Sequence, residues 1–298
     1  MSACLEAVTL AEDTTATTHD ARTFRTLLAN TLVTGITSSF VWFALTFWAY
    51  LETRSVVVTG VIGAAFSLSS AFIGPVFGTY VDRNRKHTAM MLATATSAAC
   101  FVGATAVFVL VPVTDLLQLR SAWFWLLVAL TLAGSVAGMM RGITLSTCVS
   151  LLVPEHRRDR ANGMVGTITG VSFAITSVFS GLVVGQLGMG WALYGTLALT
   201  GAALLHLGTI RLDEPQPVPS DGDSTKRVDI RGALDAIKAV PGLGMLIAFA
   251  AFNNLLGGVF MALMDAYGLS LVSVETWGIL FGFISFGFIL GGLLVAKK

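Results

Sequence analysis

GPVFGTYVDRNRKH, Gly74 to His87, leads from a glycine-containing apolar end through a densely charged turn and straight into another apolar segment. Uncharged runs extend from it in both directions. A membrane-crossing helix needs about 20 predominantly apolar residues. Runs of that order lie near 27–50, 57–80, 88–113, 122–150, 163–185, 190–210, 243–264 and 276–296. Hydrophobic residues make up 55% of the 298 and charged residues 12%, with a mean hydropathy of +0.80. A water-soluble domain of this size would lack the polar surface to cover itself. An all-α integral membrane protein, partnered by a lipid bilayer, is therefore expected.

The charges are distributed as unevenly as the apolar runs. With the N-terminus inside, the cytoplasmic segments hold 15 of the 18 Lys and Arg residues; the outer loops hold Arg54 and Arg120, and Arg141 falls within a helix. Lys/Arg asymmetry in short loops sets orientation, so a multi-pass protein of the plasma (cytoplasmic) membrane with a cytoplasmic N-terminus is expected. Residues 1–24 carry Glu6, Glu12, Asp13 and Asp20 ahead of the first basic residue, Arg22. They lack the positive start of a signal peptide and read as a polar cytoplasmic tail. Cys4, Cys100 and Cys148 offer neither a disulfide framework nor metal-ligand spacing.

The pattern Gly78-x-x-x-Asp82-Arg83-x-x-Lys86-His87 resembles the cytoplasmic loop between helices 2 and 3 of the major facilitator superfamily (MFS), G-x-x-x-D-R-x-x-R/K-R/K, with His87 in place of the last basic residue. There Gly78 is expected to let two helices approach closely, and Asp82 and Arg83 to pair with neighbouring helix ends. Arg85 and Lys86 are expected on the cytoplasmic side. A simple topogenic basic loop is the alternative. LVPEHRRDRANG, Leu152 to Gly163, is similar to the loop between helices 4 and 5 of drug:proton antiporters of the macrolide-efflux-like subfamily, with Arg160-Ala161-Asn162 opening the fifth helix. Two features depart from that subfamily. The fourth-helix Arg of many drug antiporters aligns near Thr131 rather than at Arg141, and the fifth helix has no Gly-Pro pair. The resemblance implies an MFS-type secondary transporter exporting small amphipathic molecules by alternating access. It also implies Gly78, Asp82, Arg83 and Lys86 as a conformational-switch loop and H+ as coupling ion.

Four parts are expected along the chain: the tail 1–24, a six-helix N-terminal bundle 25–211, a cytoplasmic linker 212–242, and a partial C-terminal bundle 243–298. The linker includes the Pro- and charge-rich Asp213–Val228. It then continues into DIRGALDAIKAV, which reads either as a helix lying in the membrane interface or as an extension of the next span. A weak internal repeat accompanies the division, with Gly60, Gly74 and Gly78 matched in spacing by Gly278, Gly292 and Ala296. Two six-helix repeats are what MFS transporters contain. The expectation is then a product ending after helix 8, non-functional alone if it truly ends at residue 298. The alternative is a truncated non-transporting membrane protein or a helix-bundle partner.

Polar groups inside a membrane must face protein or water. Helix 1 offers Asn30, Thr34, Thr37 and Ser38 on one face, helix 5 offers Thr169, Ser172, Thr176 and Ser180, and helix 7 offers Asn253 and Asn254. The serines and threonines of helix 5 can equally satisfy themselves against their own backbone. Arg141 lies 13 positions before Pro154, roughly 20 Å along a helix. A charge at that depth marks a functional site by default, with hydrogen bonding to backbone carbonyls or snorkelling as alternatives. The candidate substrate cavity is therefore Asn30, Thr34, Thr37, Arg141, Thr144, Asn253 and Asn254. Asp265 is a candidate gate or proton site, or else a solvated acid at the outer end of helix 7.

No H-E-x-x-H, G-x-S-x-G or phosphate-binding G-x-x-x-x-G-K-[ST] motif is present, so no enzymatic activity, cofactor, bound metal or nucleic-acid partner is expected. The partners expected are a small-molecule substrate and H+.

Overall fold

In a computed structural model of the chain the described residues are 2–153, 158–210 and 230–296, all in helices or short turns, with no strand among them. The elements are α1 (Ser2–Thr53), α2 (Val56–Arg83), α3 (Lys86–Leu110), α4 (Val113–Leu116), α5 (Ala122–Leu152), α6 (Arg158–Gln186), α7 (Met189–Thr209), α8 (Ile230–Ala239), α9 (Leu243–Leu271) and α10 (Val274–Ala296). Among the described residues, seven stretches are long and apolar enough to cross a membrane: Thr26–Thr53 within α1, and the bodies of α2, α3, α5, α6, α7 and α9. Among the described residues α10, expected as an eighth span, is apolar only over the shorter stretch Val274–Gly287. The fold is the all-α membrane helix bundle expected from the apolar runs.

Three local features bear on what the sequence led one to expect, and the third contradicts it. The tail is helical from Ser2 and continuous with the first span. The amphipathic helix α8 is separate from α9, because Pro241 and Gly242 intervene, and Gly242 takes the left-handed φ of 82° that glycine favours. It is therefore not an extension of the next span. Gly78 makes no close helix approach, since a Cβ placed there would meet nothing within 4 Å; no described helix packs on that side of α2. The loop Pro154–Arg157 and the linker Asp213–Val228 lie outside the described residues.

The turn after α2 is built by its own side chains. Asn84 caps the helix, donating from Nδ2 to the Tyr80 carbonyl at 2.8 Å. Lys86 folds back, its Nζ donating to the Val81 carbonyl at 2.6 Å and to the Asn84 carbonyl at 3.2 Å. A cation at a helix C-terminus satisfies orphan carbonyls and the negative end of the dipole together, which is why Lys86 is buried while Asp82 and Arg83 are exposed. His87 Nε2 lies 3.1 Å from the Leu207 carbonyl and ties this turn to the end of α7.

Helix α1 is the centre of the bundle, packing against α2, α5, α6, α7 and α9. Its second half, Phe40–Tyr50, anchors an aromatic-rich core with Phe124, Met189, Leu269, Trp277 and Phe281. Trp48 stacks on Phe124 at 5.7 Å, and Phe43 meets Phe281 edge-on at 5.0 Å. The most extensive helix pair is α6 with α10. Between helices in lipid, close van der Waals packing replaces hydrophobic burial as the driving force, and small residues permit it. Large apolar side chains such as Phe249, Phe252, Leu255 and Phe260 on α9 remain exposed, the surface a bilayer would cover.

Candidate substrate site

Helix α5 carries Arg141 into the bundle interior, where it is 6% exposed. Its guanidinium donates from Nε to Thr34 Oγ1 on α1 (3.1 Å), from Nη1 to Thr94 Oγ1 on α3 (3.1 Å), and from Nη2 to Asn30 Oδ1 on α1. Asn30 in turn donates from Nδ2 to the Ala203 carbonyl on α7 (2.9 Å) and lies 3.0 Å from His206 Nδ1. One buried cation thus joins α5 to α1 and α3, and Asn30 extends the network to α7. The hydrogen-bond partners of Arg141 are neutral side chains of other helices rather than backbone carbonyls, and the residue is buried inside the bundle.

A chamber of about 170 Å³ lies beside this network, lined by Thr34, Thr37, Ser38, Thr94, Ser97 and Arg141 among others. A second, of about 580 Å³, is lined by Trp42, Phe66, Met139, Phe173, Asn253 and Asn254 among others. They share a wall made by Ser38, Gly138 and Gly142. Of the residues singled out in the sequence, Thr34, Thr37 and Arg141 face the smaller chamber and Asn253 and Asn254 the larger. Asn30 sits behind the arginine, fully buried. Thr144 lines neither chamber; its hydroxyl donates to its own helix at Met140 (2.7 Å).

Asp265 is not a solvated helix-end acid. It is 5% exposed and accepts from Thr46 Oγ1 on α1 (3.2 Å) and Trp277 Nε1 on α10 (3.1 Å). Gly268, one turn further along α9, lies directly under the Trp277 ring. The carboxyl group therefore joins α9, α1 and α10 at the aromatic end of the bundle. Replacing it gives a graded expectation. Asp265→Ala strands the buried indole N–H, costing about 1–3 kcal/mol, whereas Thr46 keeps its bonds to the Trp42 and Phe43 carbonyls. Asp265→Asn retains an oxygen acceptor and should lose less. Thermal unfolding of the purified variants in detergent checks this, and equal losses would contradict the role given to the indole bond.

Thr94, His206, Thr46 and Trp277 were not singled out as site residues in the sequence. Thr94, Ser97 and Phe101 lie at i, i+3 and i+7 on α3, a one-sided pattern that could have flagged the first. Nothing local marks the other three, whose roles arise from contacts between helices distant in sequence.

Apolar helices long enough to span a membrane, packed around a buried arginine with two cavities beside it, define a polytopic membrane protein. The family model of the Major Facilitator Superfamily matches residues 27–298, and the chain belongs to that superfamily. It is accordingly a secondary transporter, of a kind that is in general not enzymatic. No curated protein and no solved structure matches the chain.

Proposed function

We propose that the protein exports small amphipathic molecules across the plasma membrane by alternating access, in the manner of the drug:proton antiporters that its two cytoplasmic-loop motifs resemble. The observation that carries this reading is the pair of adjoining chambers. Both linings are mostly apolar, but the smaller carries hydroxyls and Arg141 and the larger aromatic, thioether and amide side chains, so together they offer a charged contact and an apolar berth to one molecule. The substrate site comprises Thr34, Thr37, Arg141, Asn253 and Asn254, with Asn30 behind the arginine. Asp265 is the gate or proton-responsive group, since it bridges three helices at one end of the bundle. The switch loop is Gly78, Asp82, Arg83 and Lys86, in which Lys86 holds the turn and the exposed Asp82 and Arg83 are free to change partners. The Lys/Arg bias puts this loop and the N-terminus on the cytoplasmic side.

The test is flux in everted membrane vesicles from cells expressing the gene, using amphipathic fluorescent dyes with and without a pH gradient. Saturable accumulation that collapses with the gradient is expected. Accumulation identical to that of vesicles lacking the protein would refute the reading.

A further inference from the structure

The donor and acceptor inventory of the smaller chamber is unbalanced. A guanidinium has five N–H donors, and Arg141 spends three of them on Thr34, Thr94 and Asn30. All three partners are neutral, and the buried Asp265 is engaged elsewhere, with Thr46 and Trp277. Several lining hydroxyls have already given their protons to carbonyls: Thr37 to Val33, Ser97 to Gly134 and Thr200 to Thr196. Among the described residues the guanidinium keeps one N–H on each of Nη1 and Nη2 without a partner, and the acidic group that acts on it is the Cys148 thiol rather than a carboxylate. Among the described residues no carboxylate lines the chamber, and a buried cation without a carboxylate to meet it is costly.

We propose that this chamber is an anion subsite that receives the carboxylate of a small amphipathic acid, whose apolar body occupies the adjoining chamber beside Trp42, Phe66 and Phe173. The proposal rests on the transporter reading and names the substrate class of the same site. A carboxylate matches two parallel N–H donors and brings the single negative charge that one arginine offsets. A phosphate or sulfate dianion would bring a second charge with no cation to meet it. The volumes agree in order, the smaller chamber of about 170 Å³ taking the head group and the larger of about 580 Å³ the body.

The test compares benzoate, benzamide and inorganic phosphate as probes of the purified protein, expressed from its gene, by calorimetric titration and thermal shift at fixed ionic strength. Benzoate should bind at least about tenfold tighter than its neutral isostere, as a charge-assisted hydrogen bond requires, and phosphate should bind more weakly than benzoate. Arg141→Lys, which keeps the charge but not the fork, should reduce that preference, and Arg141→Ala should remove it. Should Arg141→Ala not fold, the wild-type ratio and the lysine variant decide. Equal binding of benzoate and benzamide, or an undiminished benzoate preference in Arg141→Lys, would overturn the subsite. Vesicle flux separates the two claims. Benzoate binding without flux of any probe keeps the subsite and sinks the transport reading. Saturable export of neutral amphipaths with no preference for carboxylates does the reverse.

Discussion

Arg141→Ala should cut export at least about tenfold while leaving a folded protein. The two effects differ in size because the arginine's partners differ in what they lose. Thr34 keeps its bonds to the Asn30 and Thr31 carbonyls, and Thr94 keeps its bond to Met90. Asn30 keeps Ala203 and His206 through its amide nitrogen. Only Asn30 Oδ1 is left without a partner, so stability should fall by about 1–3 kcal/mol, the cost of one orphaned buried acceptor. Transport should fall by at least about tenfold, because the proposed charge-assisted contact to substrate, worth about 1.5–3 kcal/mol, would be gone entirely. Vesicle flux and thermal unfolding on the same variant check the split. Wild-type flux would remove Arg141 from the substrate path, and total unfolding would make it a structural cation.

The second large effect lies where α6 meets α10. A Cβ added at Gly181 would sit 2.6 Å from the Val274 carbonyl oxygen, and one at Gly278 would sit 2.5 Å from that of Ser177. Both obstacles are backbone, so the helices themselves must part. Gly181→Ala and Gly278→Ala should each destabilise the protein by about 1–3 kcal/mol or more, the range for overpacking a close contact. Gly287→Ala, on the same helix as Gly278, meets nothing within 4 Å. It should be neutral or stabilising by up to about 1 kcal/mol, since alanine is the better helix former. Melting temperatures in one detergent compare all three. Equal tolerance of the three substitutions would mean that α6 and α10 do not touch through these glycines.

Much of the bundle was legible because the bilayer imposes a single strong rule. Each apolar run had to be a helix, and the ends expected for the first seven spans fall within a few residues of the observed ones, apart from α9, which runs on to Leu271. Arg141 was legible for the same reason, as the lone charge inside such a run. Its partners were not. Thr94 and Asn30 lie 47 and 111 positions away, and only helix packing brings them to it. Asp265 shows the limit most clearly. Its place near the end of an apolar run suggested water, yet Thr46, 219 positions earlier, and Trp277 close over it. Glycine spacing was equally ambiguous. Gly181 and Gly185 meet α10, but Gly78, expected to allow a close approach, meets nothing within 4 Å, because the sequence does not say which side of a helix another will cover.

If the adjoining chambers form one substrate path, a reactive group at the wall between them must sense the substrate. Ser38, exposed at the wall they share, is the place to test it. With Cys4, Cys100 and Cys148 replaced by serine, Ser38→Cys should react with N-ethylmaleimide in everted vesicles, lose saturable export as it reacts, and be protected by excess transported substrate. Full modification with undiminished export, or labelling at a rate that substrate leaves unchanged, would place the transport path elsewhere and contradict the account.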